Sequence, residues 1–203
     1  MNIFIALFVL LMAIDGKVEK DFNNDNHPYN YRIIDGFLHC GGTPLSPSYQ
    51  NSNKEVLAIL KYLKSKGVEY VITLDGSSRS RKRLPGLIQQ AGLKQIRLYM
   101  NASKVPTEKE WAKLKKLMNS RKGIYVHCTW GADRTGAIIA RYLVDIKGYS
   151  GEKAWKAVIS KGSHAGPKGG FKKNPSYRKL LLFFWKDVCK ESPSVAEIYN
   201  ITE

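Results

Sequence analysis

The chain has 203 residues, 43% of them hydrophobic, which is enough for one domain with a core of its own. Lys and Arg number 33 against 17 Asp and Glu, and the formal charge of +16 points to anionic partners: phosphorylated substrates, an acidic membrane surface or nucleic acid. No nucleic-acid-binding motif accompanies that charge, so nucleic acid is not expected, and three cysteines are too few for a disulfide-rich scaffold.

Residues 3–14 form an unbroken apolar run, too short to span a bilayer comfortably and followed at once by Asp15-Gly16-Lys17. The length fits the core of a secretory signal peptide cut after Ala13 or Gly16, although no Lys or Arg precedes it. An uncleaved anchor or a buried N-terminal strand is the alternative. Residues 1–16 are accordingly expected to export the protein (periplasmic or secreted) or to tether it to a membrane. Residues 17–28 read as a polar linker, 29–191 as the folded domain and 192–203 as a loosely docked tail.

Asn30 to Pro44 reads as a β-hairpin turned at Asp35-Gly36. Asn53 caps an expected helix through Lys66, with Val56, Leu57, Leu60 and Leu63 on one face and Gly67 as its stop. Residues 68–74 have the composition of a buried strand, 75–83 that of a basic loop, 85–92 form a short helix and 94–100 a further strand. Thr107 and Glu110 fit a capping box for a helix that buries Trp111, Leu114, Leu117 and Met118. Residues 123–127 make a strand, Arg134 opens a helix ending near Gly148, and Ser150 caps another that buries Ala154, Trp155 and Val158. Residues 162–170 are expected to be a flexible basic loop with His164 in solvent, and 175–190 a last helix. This strand–helix alternation predicts an α/β fold with a central, mostly parallel sheet flanked by helices on both faces. Ligands in such folds gather at the carboxyl ends of the strands, which places residues 75–83 beside the site.

The chemistry-bearing stretch is the junction between the 123–127 strand and the helix from Arg134. It holds Cys128 and, six positions later, Arg134, with Gly131 in the short loop between them. A strand–loop–helix junction of this kind aims successive N–H groups and a helix N-terminus at one spot, which attracts a phosphate dianion and favours a cysteine thiolate. An Arg closing the loop can fork two phosphate oxygens, as Lys cannot. Cys128 and Arg134 are therefore the candidate nucleophile and phosphate clamp. Asn101-Ala102-Ser103 matches a glycosylation sequon.

The pattern His-Cys-x5-Arg-Thr-Gly, filled by His127, Cys128, Arg134, Thr135 and Gly136, resembles the signature of the cysteine-dependent tyrosine and dual-specificity phosphatases. The longer form His-Cys-x-x-Gly-x-Asp-Arg-Thr-Gly is similar to secreted bacterial tyrosine phosphatases that also act on phosphoinositides, and myotubularin lipid phosphatases share its core. Ala132 stands where the bacterial group usually has Lys. The resemblance implies a phosphoric monoester hydrolase with a tyrosine-phosphatase-like fold that acts through a phosphocysteine and needs no cofactor or metal. The implied substrate is phosphotyrosine, with phosphoserine or phosphothreonine in addition, or else a phosphoinositide; an inactive phosphate-binding module is the alternative of another class. Thr129, Trp130, Gly131, Ala132, Asp133 and Arg134 would bind the phosphate, Thr135 would hydrogen-bond the sulfur, and His127 would orient the loop. Relatives usually place a general-acid Asp between residues 101 and 106, and this chain has none there. Asp133 is the first replacement, by the myotubularin resemblance, and Asp75 the second; the other reading of Asp133 is a charge that only holds the loop's shape. Cys40 stands where related hairpins commonly carry Arg, which would put it within disulfide reach of Cys128.

Overall fold

Six strands and five helices alternate along the residues that the structure, a computed structural model, describes: 18–19, 27–101 and 104–171. The strands are β1 (Val18–Glu19), β2 (Arg32–Ile34), β3 (Leu38–Gly41), β4 (Val68–Asp75), β5 (Lys94–Met100) and β6 (Gly123–His127). The helices are α1 (Asn53–Ser65), α2 (Ser78–Gln90), α3 (Glu108–Asn119), α4 (Asp133–Asp145) and α5 (Gly151–Val158). They build one sheet in the order β1-β2-β3-β6-β4-β5. The β3, β6, β4 and β5 strands run parallel, and the first two add an antiparallel edge.

The expected fold class is the observed one, and the strand order explains its two faces. The chain moves outward from β3 to β4 to β5 and then returns to lay β6 between β3 and β4. Parallel crossovers are right-handed, so a reversal of direction sends the connecting helix to the opposite face. On one face, Val56, Leu60 and Leu63 of α1 and Leu84 and Ile88 of α2 pack with Val71 and Tyr125. On the other, Trp111, Leu114 and Met118 of α3 join α4 and α5 against Ile72, Leu74, Ile124 and Val126. The inserted strand thus brings its carboxyl end to the middle of the sheet, where the order reverses and ligands of such folds bind.

Local chemistry sets most boundaries. Asp35 and Gly36 both take positive φ, the requirement of the tight hairpin turn. Ser52, rather than Asn53, is the cap of α1, and its hydroxyl and Glu55 complete a capping box; Thr107 and Glu110 do the same for α3.

Three expectations change. Residues 75–83 are no loop: α2 starts at Ser78 and runs through Pro85, because Ser77 caps it immediately after the strand. Val18 and Glu19, assigned to a linker, pair with Ile34 and Ile33 as an edge strand. The 162–171 segment carries isolated bridges (Gly166 with Gly169, Ile159 with Phe171), and His164 is buried, its N–H donating to Ala157 O at 2.8 Å. The expected signal peptide or anchor (1–16), the 175–190 helix, Cys189, the 192–203 tail and sequon residues 102 and 103 lie outside the described residues.

Gly123 opens β6 where a β-carbon would stand 2.0 Å from the Gly67 carbonyl oxygen. That neighbour is backbone and cannot swing away. Gly123→Ala is expected to lower stability by about 1–3 kcal/mol, read as a drop in the urea midpoint at unchanged m-value.

Candidate active site

Strand β6 delivers His127 and Cys128 to the centre of the sheet, and the chain must then turn within four residues to enter α4. Gly131 makes that turn with φ +70, and a β-carbon there would lie 2.3 Å from the Gly41 carbonyl carbon. Only glycine combines that conformation with so close an approach. The loop is sewn to the chain following β3 by Thr43 N–H to Thr129 O (3.1 Å), while the Tyr125 hydroxyl donates to Gly42 O. Inside the loop, the Gly131 N–H donates to Cys128 Sγ at 3.2 Å, and Cys128 itself is buried.

The other described helices begin on a Ser or Thr side chain that accepts from their first turn; α4 begins at Ala132 with no side-chain cap. Among the described residues, none accepts from the N–H groups of Thr129, Trp130 or Ala132. Unpaired N–H groups and a positive helix end together favour an anion. Arg134 lies over this loop, donating through Nη2 to Thr129 Oγ1 (2.9 Å) and through Nη1 to Met100 O (3.3 Å).

Proton positions around the loop follow from which groups can only accept. The Cys128 carbonyl lies 3.3 Å from His127 Nδ1, so that nitrogen carries the proton and Nε2 accepts from Thr73 Oγ1 (3.2 Å), which accepts in turn from Gln95 Nε2 (2.9 Å). Burial holds the His127 imidazole down at about 4, well below its ordinary value, so it is neutral near pH 7. On the opposite side, Tyr49 donates to Asp75 Oδ2 (2.9 Å) and lies 3.3 Å from Thr129 Oγ1, which therefore donates to it. Asp75 also accepts from Ser77 N–H (3.0 Å), Ser77 Oγ (3.2 Å) and Ser80 Oγ (2.5 Å). Burial raises its affinity for a proton, but the hydrogen bonds from Ser80, Ser77 and Tyr49 and the charge of Arg134 outweigh it, and its pKa falls below the ordinary carboxylate value. Asp75 thus stands as a bonded carboxylate linked to the Cys128 loop through Tyr49.

The remaining expected residues are placed as follows. Asp133 is the first residue of α4 and half-buried, and Trp130 is 54% exposed at the loop's outer edge, edge-on to Tyr29 at 5.6 Å. Ala132 is buried. The Thr135 hydroxyl is buried and has no hydrogen-bond partner among the described residues, the Cys128 sulfur included. Cys40 and Cys128 are both free thiols; Cys40 pairs in register with Val126, two residues short of Cys128. Burial pushes the Cys40 thiol up to about 12, as befits a core residue. Among the described residues no group of three or more His, Cys, Asp or Glu is arranged to hold a metal ion.

Three contributors escaped the reading of the sequence: Tyr49, Asn30 and Arg32. The last two donate to the Gly131 carbonyl, Arg32 through Nη1 at 2.8 Å and Asn30 through Nδ2 at 3.2 Å. Arg32 left one visible signal, a cation two residues from buried Ile34 on a short strand, and so at an inward position.

The model of a family described as "Polymorphic toxin system, DSP-PTPase phosphatase" matches residues 47–148, half of the chain. Among curated proteins, the RNA/RNP complex-1-interacting phosphatase of Mus musculus is 57% identical over 35 residues, 17% of this chain; the match spans about a tenth of that protein's length (11%). Among solved structures, PTPMT1 superposes with a TM-score of 0.55 at 23% identity, over 79% of this chain and 96% of that one. PTPMT1 in complex with PI(5)P gives 0.52 at 23% identity over 79% and 97%. The active form of Tk-PTP gives 0.54 at 15% identity over 80% and 98%. At these identities the superpositions establish a shared fold.

The neutral His127 carries a pH dependence. In the unfolded chain its imidazole takes a proton near pH 6.5, whereas in the fold it does so only near 4. The unfolded state therefore binds more protons between those values, and stability falls as pH drops from about 6.5 to 4, by roughly 3 kcal/mol from this residue. Urea unfolding at pH 7 and pH 4 is expected to show a smaller acid loss in His127→Gln than in the wild type; an equal loss would remove His127 as its source.

Proposed function

The chain belongs to the DSP-PTPase phosphatase family of polymorphic toxin systems, and from that premise we propose that it hydrolyses phosphotyrosine in proteins, with phosphoserine and phosphothreonine as further substrates, through a phosphocysteine at Cys128. It is a phosphatase of the tyrosine/dual-specificity superfamily, a hydrolase of phosphate monoesters. The single observation that carries the finer reading is the junction itself: a buried cysteine that accepts from Gly131 N–H, on an uncapped helix start overhung by Arg134.

In the first step the Cys128 thiolate attacks phosphorus in line; the S–P bond forms as the P–O bond to the leaving alcohol breaks. The loop N–H groups and Arg134 stabilise the equatorial oxygens, where charge redistributes in the transition state. Asp133 gives its proton to the departing oxygen. In the second step water attacks the phosphocysteine, Asp133 takes the water proton, and phosphate leaves with the thiolate restored. Thr135, whose buried hydroxyl has no other partner among the described residues, is assigned to the sulfur as it departs. Thr129, Trp130, Gly131, Ala132 and Asp133 supply the N–H cradle. His127 keeps the loop's orientation through the Cys128 carbonyl and exchanges no proton. Asp75 is the weaker candidate for acid, because its hydrogen bonds favour the charged form, which has no proton to give.

A phosphoinositide is the second reading, and the start of α2 supports it. Arg79, Arg81 and Lys82 are exposed there, and Arg79 lies 5.6 Å from the ring centre of Tyr49, which touches Thr129 of the loop. That cluster suits a headgroup with more than one phosphate, at an acidic membrane surface. PTPMT1, which shares the fold, has been solved with PI(5)P. An exported or membrane-tethered location remains part of this proposal.

Phosphate release from p-nitrophenyl phosphate is expected for the wild type and should fall to background in Cys128→Ser; equal rates would sink the catalytic reading in favour of a phosphate-binding module. Side-by-side turnover of a phosphotyrosine peptide and of phosphoinositide vesicles separates the two substrate classes. Asp133→Asn is expected to slow an alkyl phosphate more than p-nitrophenyl phosphate, since a poor leaving group depends on the acid. The same selective loss in Asp75→Asn instead would transfer the role.

A further inference from the structure

We infer that Arg32 is a positioning residue of the catalytic loop: with Asn30 it grips the Gly131 carbonyl, turns the Ala132 N–H toward the phosphate, and lends that phosphate a buried positive charge. The inference rests on the reading of the Cys128 loop as a phosphate site.

Arg32 is 1% exposed, and its guanidinium donates to three carbonyls: Nη1 to Gly131 O (2.8 Å) and Asn30 O (3.0 Å), and Nε to His164 O (3.0 Å). Among the described residues no carboxylate pairs with it. A buried arginine ordinarily sits on an acid, because desolvating an unbalanced cation costs several kcal/mol. Arg141, the other arginine buried among the described residues, does so, with Glu108 at 2.6 Å and Asp145 at 3.5 Å. Carbonyl dipoles solvate Arg32 without cancelling its charge. The ionisable groups whose charge would reach it are Cys40, Cys128 and Tyr125; burial favours the neutral forms of Cys40 and Tyr125, which leaves the Cys128 sulfur and the phosphate proposed to bind above it.

The geometry of the grip follows from peptide planarity. In a trans peptide the C=O and the next N–H point in opposite directions. Drawing the Gly131 carbonyl down onto Arg32 and Asn30 therefore drives the Ala132 N–H to the other side of the loop, where no acceptor among the described residues meets it. Gly131 is also the residue whose positive φ lets the backbone rotate, so this peptide is the one most in need of an external hold. The hold is braced from below. Asn30 donates to Gly169 O (3.0 Å) and accepts from Lys168 N–H (2.8 Å), and Arg32 takes His164 O, so the 162–171 segment locks both side chains under the loop.

Three variants test this: Arg32→Met, Arg32→Lys and Asn30→Ala. Each is first checked for a cooperative melt, and its affinity for inorganic phosphate is then measured well below the melting temperature. Arg32→Met should bind phosphate roughly tenfold to a hundredfold more weakly, the effect of one charge-assisted hydrogen bond, and lose at least as much in kcat/KM on p-nitrophenyl phosphate. Arg32→Lys, which keeps the charge but loses the fork, should recover part of both. The ratio of Cys128 alkylation rates with anionic iodoacetate and neutral iodoacetamide, followed by mass spectrometry at that cysteine, should fall several-fold in Arg32→Met and be restored in Arg32→Lys. A purely structural arginine would lower the melting temperature and leave that ratio unchanged, and such a result overturns the inference. Should Arg32→Met fail to fold, Asn30→Ala decides: unaltered phosphate affinity in a folded Asn30→Ala protein overturns the grip on Gly131. Wild-type protein that neither binds phosphate nor releases it from p-nitrophenyl phosphate would instead refute the phosphatase reading beneath it.

Discussion

Backbone meets backbone where Gly131 presses on Gly41 and Gly42, and the site depends on that contact. Strand β3 and β6 pair in parallel with Gly41 facing His127, and the chain continues past the ends of both strands without separating. Thr43 N–H reaches Thr129 O, Gly42 N–H reaches Tyr29 O, and no room remains for a side chain on any of the three glycines. The Cys128 loop is thus an extension of the sheet register. A slip of one residue in that pairing would move the shifted strand's side chains to the opposite packed face and carry the loop off its support.

Electrostatics adds a second constraint. The loop gathers unpaired N–H groups, a helix start, Arg134 above and Arg32 below, and such a concentration of like charge costs stability in the empty protein. The nearby acid, Asp75, is fully engaged by Tyr49 and the serines at the start of α2, so it anchors that helix to the loop while its charge is shared among donors. His127 adds no further cation: burial and the charge of Arg134 keep it neutral, against its hydrogen bond to the Cys128 carbonyl and the charge of Asp75. The field at the loop is therefore positive from fixed groups alone, already oriented before an anion arrives.

How much of this was legible depended on how local each signal was. The parallel strands, the hairpin turn at Asp35-Gly36 and the capping box at Thr107 all rest on signals within a few residues, and the structure has each of them. The misreadings share a cause. Residues 75–83 look like a loop because serines and basic residues have weak apolar periodicity; the helix forms because Ser77 caps it and Asp75 ties down Ser77 and Ser80 at the end of a buried strand. His164, in a glycine-rich stretch, looks solvated; it is buried because that stretch folds back beneath Arg32 and Asn30, more than a hundred residues away along the chain.

The sequence by itself determined where the proposed centre lies, since a cysteine and an arginine six residues apart on a strand–loop–helix junction need no distant partner to be recognised. It also determined the α/β class, through apolar runs and caps whose period is local. Only the tertiary structure decided what holds the centre in shape: Arg32 and Asn30 under Gly131, Tyr49 between Thr129 and Asp75, and Thr73 behind His127. These contacts join residues far apart in the chain. Their hydrogen bonds depend on distances set by strand order and crossover hand, and a linear sequence displays neither.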